Sequence, residues 1–576
     1  MTFRDGLAGG AALGVVLAIA SGAAAETKPT HKRHPVQKAV AAAPSEATVA
    51  LQNEMSELRA QVEALKAWKD TQTASQAQAD AQMAQLKAQL ADAESRAQAA
   101  QARVDAQIET IPGTVQTAVK AATPKTDKLY YKGVSITLGG FAAMETVLRS
   151  HDEGADIGST FSGLPFPDAS TYHTQEARFS ARQSRLSLLA QGDVSDAIHL
   201  AGYGEFDFLG SAVTANSNES NSYTPRVRHL YSTVDWDTSF GGLQLLAGQT
   251  WSLVTMNAQG ITPRNEVIPL TIDAQYVPGF DWARQPQMRL TANFNKTLWF
   301  AVSVENPQAT FYNSGNFLSG VKLVDNIPGG AEFPSQAGIG YTLSLNKVPD
   351  VIAKVALEET LAGHMVHLEG YGIYRDFYDR LTNTAGVVGN TDTAGGGVGG
   401  GLVVGVIPHL LDLQASGLVG RGVGRYGSGQ LPDVTFGVDG TLHPIQEAMF
   451  LGGGVLHLGS ALDVYVYGGE ERESQQAYSS GTIYNGLGNP NYNNTGCDTE
   501  GDTSACVGNS HFIDQIAAGF WDKPYIGKFG KFQWGIQYSY TERHLFPGYG
   551  PEGSVGNPDP VARENMILTS IRYYPF

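Results

Sequence analysis

Five arginines fall in two short stretches of a 576-residue chain: Arg178, Arg182 and Arg185 in ARFSARQSRLSLLAQG, and Arg226 and Arg228 in PRVRHLY. A guanidinium stays charged at any physiological pH and grips carboxylates through a planar fork. A group of them on one wall is therefore suited to hold or steer small anions; the structural alternative is salt bridging to nearby carboxylates. Arg178 and Arg182 share one parity and Arg185 has the other. An unbroken strand cannot present all three on one face, so one of them requires a bulge or an end position. Arg289, in RQPQMRLTANFN, stands opposite Met288 and Leu290 in the same alternating way. The connection WSLVTMNAQGITPRNEVIPLTIDAQYVPGFDWAR is long and fairly apolar and carries Glu266, Asp273 and Asp281. A segment with that many hydrophobic residues is expected to fold back against the protein, where its acids would oppose the arginines.

The elements that must position these residues are strands. In KFQWGIQYSYTER, Phe532, Trp534, Ile536, Tyr538 and Tyr540 alternate with Gln533, Gly535, Gln537 and Ser539. In AIHLAGYGEFDFLG, Ile198, Leu200, Phe206 and Phe208 oppose His199, Tyr203, Glu205 and Asp207. Runs of about ten residues with this period of two recur from Tyr130 onward. The connections between them alternate in length. Short ones are Gly192 to Asp196, Asp237 to Gly242, Asn295-Lys296, Leu361 to Gly363 and Gly459-Ser460; long ones are His151 to Glu176, Gly210 to Thr224, Trp251 to Pro286, Asn306 to Asp350 and Glu471 to Asn509. Short turns at one end and long loops at the other describe an all-β transmembrane barrel of antiparallel strands in a bacterial outer membrane, its apolar set facing lipid and its polar set a watery lumen. Keeping both chain ends on the short-turn side gives about 16 strands; promoting the weak run Ala337 to Leu345 to a membrane strand gives about 18. The chain ends in RYYPF, where Arg572 and Pro575 read as departures from clean alternation.

Ahead of the barrel the periodicity changes. Residues 1–25 contain Arg4, an apolar run and Ala23-Ala24-Ala25, the pattern of a secretory signal. Residues 26–50 are basic and rich in Pro and Ala, a flexible linker. Over 51–110, Leu51, Met55, Leu58, Val62, Leu65 and positions onward to Val104 follow steps of four and three without Pro or Gly. That is the seam of an α-helical coiled coil roughly 80 Å long, which favours self-association. Residues 111–129 form a second linker, and the barrel occupies 130–576.

Charged residues are 16% of the chain and the formal net charge is -17, which argues against nucleic acid as a partner. The formal G-x-G-x-x-G of AGGGVGGG (Gly395, Gly397, Gly400) neither follows a clear strand nor opens a helix and is expected to be a glycine-rich strand. No H-E-x-x-H or G-x-S-x-G occurs, so no catalytic site, metal or cofactor is expected. The two cysteines, Cys497 and Cys506, bracket a small polar loop and are expected to be bridged in an exported protein.

Three motifs, RQSRL (Arg182 to Leu186), AGQTWS (Ala247 to Ser252) and RQPQMRLT (Arg284 to Thr291), together with the layout of signal, coiled coil, barrel and terminal RYYPF, resemble the DcaP-like trimeric outer-membrane porins. The motif-level likeness is confined to about Arg178 to Thr291. It implies a homotrimer of 16-stranded pores, a coiled coil in the periplasm, and passive diffusion of dicarboxylates or other small anionic solutes. The long fourth and seventh loops, and the cysteine pair in the latter, lie outside that pattern. Two other readings stay open: a neutral-solute or sugar channel, with Trp251 and Trp282 stacking on the solute, or a structural tether whose coiled coil reaches cell-wall peptidoglycan.

Overall fold

The computed structural model describes residues 53–64, helical positions 66, 85, 87–89, 91–92 and 95–96, and residues 128–210, 224–323, 344, 346–361, 363–501, 505–549 and 560–576. The signal segment 1–25, the linker 26–50 and most of the coiled-coil seam lie outside these. Residues 53–64 are helical, and Met55, Leu58 and Val62 are exposed on them.

Sixteen strands form one closed antiparallel barrel. They are β1 (Val134–Arg149), β2 in two segments (Glu176–Ser180 and Arg185–Ser195), β3 (Ile198–Gly210), β4 (Thr224–Thr238), β5 (Gly241–Trp251), β6 (Arg284–Phe294), β7 (Leu298–Glu305), β8 (Asp350–Leu361), β9 (His364–Thr382), β10 (Val388–Ile407), β11 (Leu411–Arg421), β12 (Gln446–Leu458), β13 (Leu462–Glu473), β14 (Ser510–Gly527), β15 (Gly530–Leu545) and β16 (Val561–Tyr574). Each pairs with the next, and β1 pairs with β16, from Ala142 opposite Tyr573 to Arg149 opposite Met566. Closure leaves no unpaired edge, which a sheet in hydrocarbon requires. β7 pairs directly with β8, from Glu305 opposite Asp350 to Leu298 opposite Leu357, so no further strand stands between them in the barrel; Ala337 to Leu345, apart from residue 344, lie outside the described residues. The count is 16, not 18.

The alternation has the sense the pattern predicts. On β15, Trp534, Ile536 and Tyr538 are exposed on the outer face, while Gln533, Gln537 and Ser539 are buried within the barrel. On β6, Met288, Leu290 and Phe294 stand outside and Arg289 and Thr291 inside. The outward apolar residues suit lipid, and the strand ladders pair the backbone around the whole barrel. Two outer connections differ from the simple scheme. Residues 383–387 make a short outer turn between β9 and β10, which extend to 19 and 20 residues. Residues 422–445 form a sixth outer loop, with its own small strands Val434–Phe436 and Leu442–Pro444, that the strand pattern alone did not separate.

The glycine run lies inside β10, paired to β9 and β11, and opens no helix. A Cβ on Gly399 would collide with the Tyr371 ring, and one on Gly401 with Met256 of the third outer loop. Curvature is thus the smaller part of its role. The bare inner wall makes room for what fills the lumen. In the seventh loop a disulfide links Cys497 and Cys506, with Cα atoms 4.7 Å apart. Cys497 is fully buried beside Leu164, Phe166 and Leu545, fixing that loop to the rim. Alkylation of the native protein without reductant should label no thiol; two modified cysteines would refute the bond.

Candidate functional site

Two local irregularities turn the arginines inward. β2 is interrupted at residues 181–184, and its phase flips across the gap. Before the break Arg178 sits opposite Val147, whose side chain is buried in the lumen. After it Arg185 sits opposite Phe141, while Leu186 and Leu188 face outward. The parity conflict among Arg178, Arg182 and Arg185 is resolved by this break, with Arg182 within it. In β4 a register shift leaves both Arg228 and His229 buried inside, so Arg226 and Arg228 before it and Tyr231 and Thr233 after it all face the lumen.

The third outer loop, residues 252–283, crosses the barrel interior. Its main chain is held from nearly every side: Leu253 N donates to Glu305 of β7 at 3.0 Å, Lys354 of β8 donates to Thr255 O at 2.8 Å, Asn257 N donates to Glu369 of β9 at 3.1 Å, Gly279 N donates to Glu471 of β13 at 2.7 Å, Trp521 of β14 donates to Leu270 O at 2.8 Å, and Ile272 N donates to Gln537 of β15 at 2.5 Å. Leu253, Val254, Met256, Ile261, Ile272, Val277 and Phe280 are all buried. Burying such side chains stabilises by about 1.5–3 kcal/mol each, so returning the loop to water would forfeit on the order of ten kcal/mol. This is the physical reason an apolar 32-residue connection does not sit outside. The first outer loop packs on it, with Ser159 donating to Asp273 at 2.6 Å.

Most of the arginines read from the sequence are engaged. Arg178 pairs with Glu176 and with Asp152 at 3.8 Å, and Arg182 with Asp156 at 2.6 Å. Arg226 grips Asp207 at 2.9 and 2.7 Å. Arg228 pairs with Glu205 at 2.6 Å and Asp207 at 3.0 Å. Arg289 is buried behind the loop on Gln287 and Trp251 O. Arg185 is the least committed of the inward set, with Glu205 at 3.8 Å.

Between the inserted loop and β14–β16 lies a chamber of about 290 Å³. Its wall carries Arg185, Arg228, Lys523, Lys531 and Arg572 against only Asp273 and Asp463. Lys523 pairs with Asp463 at 2.5 Å and Arg572 with Glu145 at 2.6 Å. Lys531 lies over the Tyr574 ring, 4.1 Å from its centre, with no ion pair among the described residues. The surplus of positive charge is felt by the loop itself. Burial would raise the Tyr276 hydroxyl, but Arg228, Arg284 and Arg185 together hold it below its ordinary range.

Lys523, Lys531 and Arg572 were absent from the expected set. Arg572 stands opposite the inward Gln533, so it keeps the alternation that it appeared to break; Pro575 simply follows the strand. Lys531 shares parity with Gln533 and Gln537, a signal present in the sequence. The tryptophans proposed to stack on sugars are occupied. Trp251 is 3% exposed, and Arg284 lies over both Trp251 and Trp282, 4.9 and 5.1 Å from their ring centres.

The three loop acids do fold inward. Asp273 accepts from Ser159 and Gln275, Asp281 from Tyr371, and Glu266 lies near the wall cations Arg289 and Lys354. Burial pushes Glu266 up to about 7, against the pull of Arg289, and Asp281 up to about 6; Asp273 is raised as well. Glu266 and Asp281 therefore withdraw negative charge from the inserted loop as the medium becomes mildly acidic.

A closed sixteen-strand barrel with an apolar outside, a charged lumen and an inserted loop is the architecture of an outer-membrane channel. No family model and no curated protein matches the sequence. Among solved structures, the chain is similar to the outer membrane channel DcaP of Acinetobacter baumannii, at 18% identity and a TM-score of 0.52, over 77% of this chain and 99% of that one. It also aligns with an anion-selective porin from Comamonas acidovorans (12% identity, 77% and 99% covered, TM-score 0.39) and with OprB of Pseudomonas putida (10%, 76% and 94%, 0.39). The first likeness shows the fold and agrees with the family resemblance read from the motifs.

Proposed function

We propose that the protein is an outer-membrane porin that lets small anionic solutes diffuse passively through the lumen. The observation carrying this reading is the chamber beneath the inserted loop, lined by five cations, of which Arg228, Arg572 and Lys523 have close carboxylate partners while Arg185 and Lys531 are the least neutralised. Confinement amplifies their effect. At physiological ionic strength the Debye length is about 8 Å, so carboxylates out on the loops are largely screened at the constriction. A cation about 4 Å from a passing anion contributes roughly 1–4 kcal/mol, according to how wet the gap is. The local surplus then outweighs the remote charge of -17. Diffusion needs no residue to react, and the paired arginines Arg182 and Arg226 serve to brace the wall and loops.

Selectivity should depend on pH with a definite sign. A carboxyl group whose pKa is raised becomes neutral as pH falls through that value, and the arginines and lysines keep their charge. Glu266 and Asp281 thus lose charge near about 7 and 6, and anion preference should rise as a bath is taken from about pH 8 to about pH 5. Reversal potentials recorded across that series check it, and a slope of opposite sign would count against the inserted acids. Glu266→Gln should flatten the upper part of the curve.

The heptad seam and the exposed Met55, Leu58 and Val62 support a homotrimer held partly by a periplasmic coiled coil. Cross-linking of the full chain in detergent should give trimers. Deleting residues 51–104 should weaken association and leave the barrel folded, because its strands satisfy their own hydrogen bonds. A full-length protein that runs only as a monomer would overturn this part.

A further inference from the structure

β12 and β13 run together to the outer rim, and Glu447 stands directly opposite Glu473 in their ladder. Directly opposed side chains of an antiparallel pair have Cβ atoms about 4.5–5.5 Å apart, and like charges there repel. Both face inward and are buried, Glu447 at 3% and Glu473 at 1% exposure. Neither carboxylate oxygen of Glu473 accepts a hydrogen bond, and neither does Oε1 of Glu447. Glu471, one step down the same face, is a contrast: it accepts from Gly279 N at 2.7 Å and from Gly429 N at 2.9 Å.

Among the described residues no neighbouring cation is left to serve the pair. Arg375 is committed to Asp350 at 3.2 Å and Asp433 at 2.7 Å, and Arg425 to Gln285 at 2.6 Å and Asp350 at 3.6 Å. The outer-loop residues outside the described set, 211–223, 324–343, 502–504 and 550–559, contain no Lys or Arg. Two buried, directly opposed carboxylates that share a single hydrogen bond, from Val423 N to Glu447, are costly unless something positive joins them.

We propose that Glu447 and Glu473 bind a Ca²⁺ ion at the outer mouth of the barrel, with the main-chain carbonyl of Leu431 as a third oxygen. The local space favours this. The point where a Cβ on Gly424 would lie is 2.5 Å from both Glu447 Oε1 and Leu431 O, so a bare glycine keeps these two oxygens close and unobstructed. Val423 N donates to Glu447 Oε2, fixing the carboxylate plane. The donors are all oxygen, the hard set that suits Ca²⁺, with waters completing its six to eight ligands. The ion would clamp the sixth outer loop, 422–445, to the wall. Such a site follows no motif spacing and uses neither Cys nor His, so no sequence pattern marks it.

The test uses the full-length protein in detergent, stripped with chelator and titrated with Ca²⁺ by calorimetry, with thermal unfolding followed in parallel. One saturable site per chain is expected, with a Kd of about 10⁻⁴–10⁻³ M, the range of extracellular modules, and an unfolding midpoint that rises with Ca²⁺. Glu473→Gln should lower the affinity by about tenfold or more and abolish the midpoint shift; Glu447→Gln is the second variant should that one not fold. Glu542→Gln provides the control: it alters the other cluster of potential ligands, Asp514, Glu542 and His544, where Arg563 already pairs with Glu542 at 2.8 Å. It should leave Ca²⁺ binding unchanged. Absence of saturable binding, a Ca²⁺-insensitive midpoint in the wild type (as a shared proton would give), or wild-type affinity in Glu473→Gln or Glu447→Gln would overturn the site.

Discussion

Excising the third outer loop, by joining Ser252 to Ala283 through a short Gly/Ser turn, should raise single-channel conductance several-fold and bring the reversal potential close to zero. The loop is the main obstruction across the lumen, anchored by hydrogen bonds to β7, β8, β9, β13, β14 and β15. Without it, the ladder from β5 to β6 remains intact, because Trp251 still pairs with Arg284. The chamber loses its roof, so a permeating ion passes farther from Arg185, Lys531 and Arg572 and is shielded by water. Conductance unchanged by the excision would mean that ions do not pass this loop, and the constriction would have to be placed elsewhere.

The second large effect concerns the chamber wall. Arg185→Gln combined with Lys531→Gln should reduce the anion-to-cation permeability ratio by about tenfold, since one decade corresponds to about 1.4 kcal/mol and each charge contributes roughly 1–4 kcal/mol at close range. These two are chosen because their removal strands little. Arg185 has one carboxylate at 3.8 Å, and Lys531 has an aromatic ring. Arg182→Ala with Arg226→Ala should shift selectivity less and stability more. Asp207 is 1% exposed and loses both of its bonds to Arg226, leaving Arg228 to neutralise it, while Arg182 braces Asp156 and the carbonyls of Phe208 and Gly210. A larger selectivity change in the second pair than in the first would reverse these assignments.

How much of this was legible depends on which physical signal each residue carries. Strand alternation is local and strong, so β6, β15 and the lipid-facing set could be read directly from residues such as Met288, Leu290, Trp534 and Ile536. The barrel class followed from loop asymmetry. The 16-strand count became certain only with the pairing of β7 and β8, which local pattern cannot express. Inwardness of the arginines was legible from the cost of placing charge in hydrocarbon, although parity set Arg185 against Arg178 and Arg182; salt bridging stood as an open alternative, but the partners were not legible, because Asp152 and Asp156 come from a loop and Asp207 from across a ladder. Arg572 was misread because proline and aromatics near a chain end blur the period of two. The glycines of β10 spoke for small inner side chains, yet their reason, the Tyr371 ring and Met256, is tertiary. The opposed Glu447 and Glu473 are invisible to any motif, since only the register brings them together.

Central to all of this is the sign of the charge preferred by the pore, and the reversal potential of the wild-type protein in a planar bilayer under a KCl gradient measures it directly. A potential displaced toward that of chloride, and displaced further in mild acid, is the predicted result. A potential displaced toward that of potassium, as the net charge of -17 alone would dictate, would contradict it.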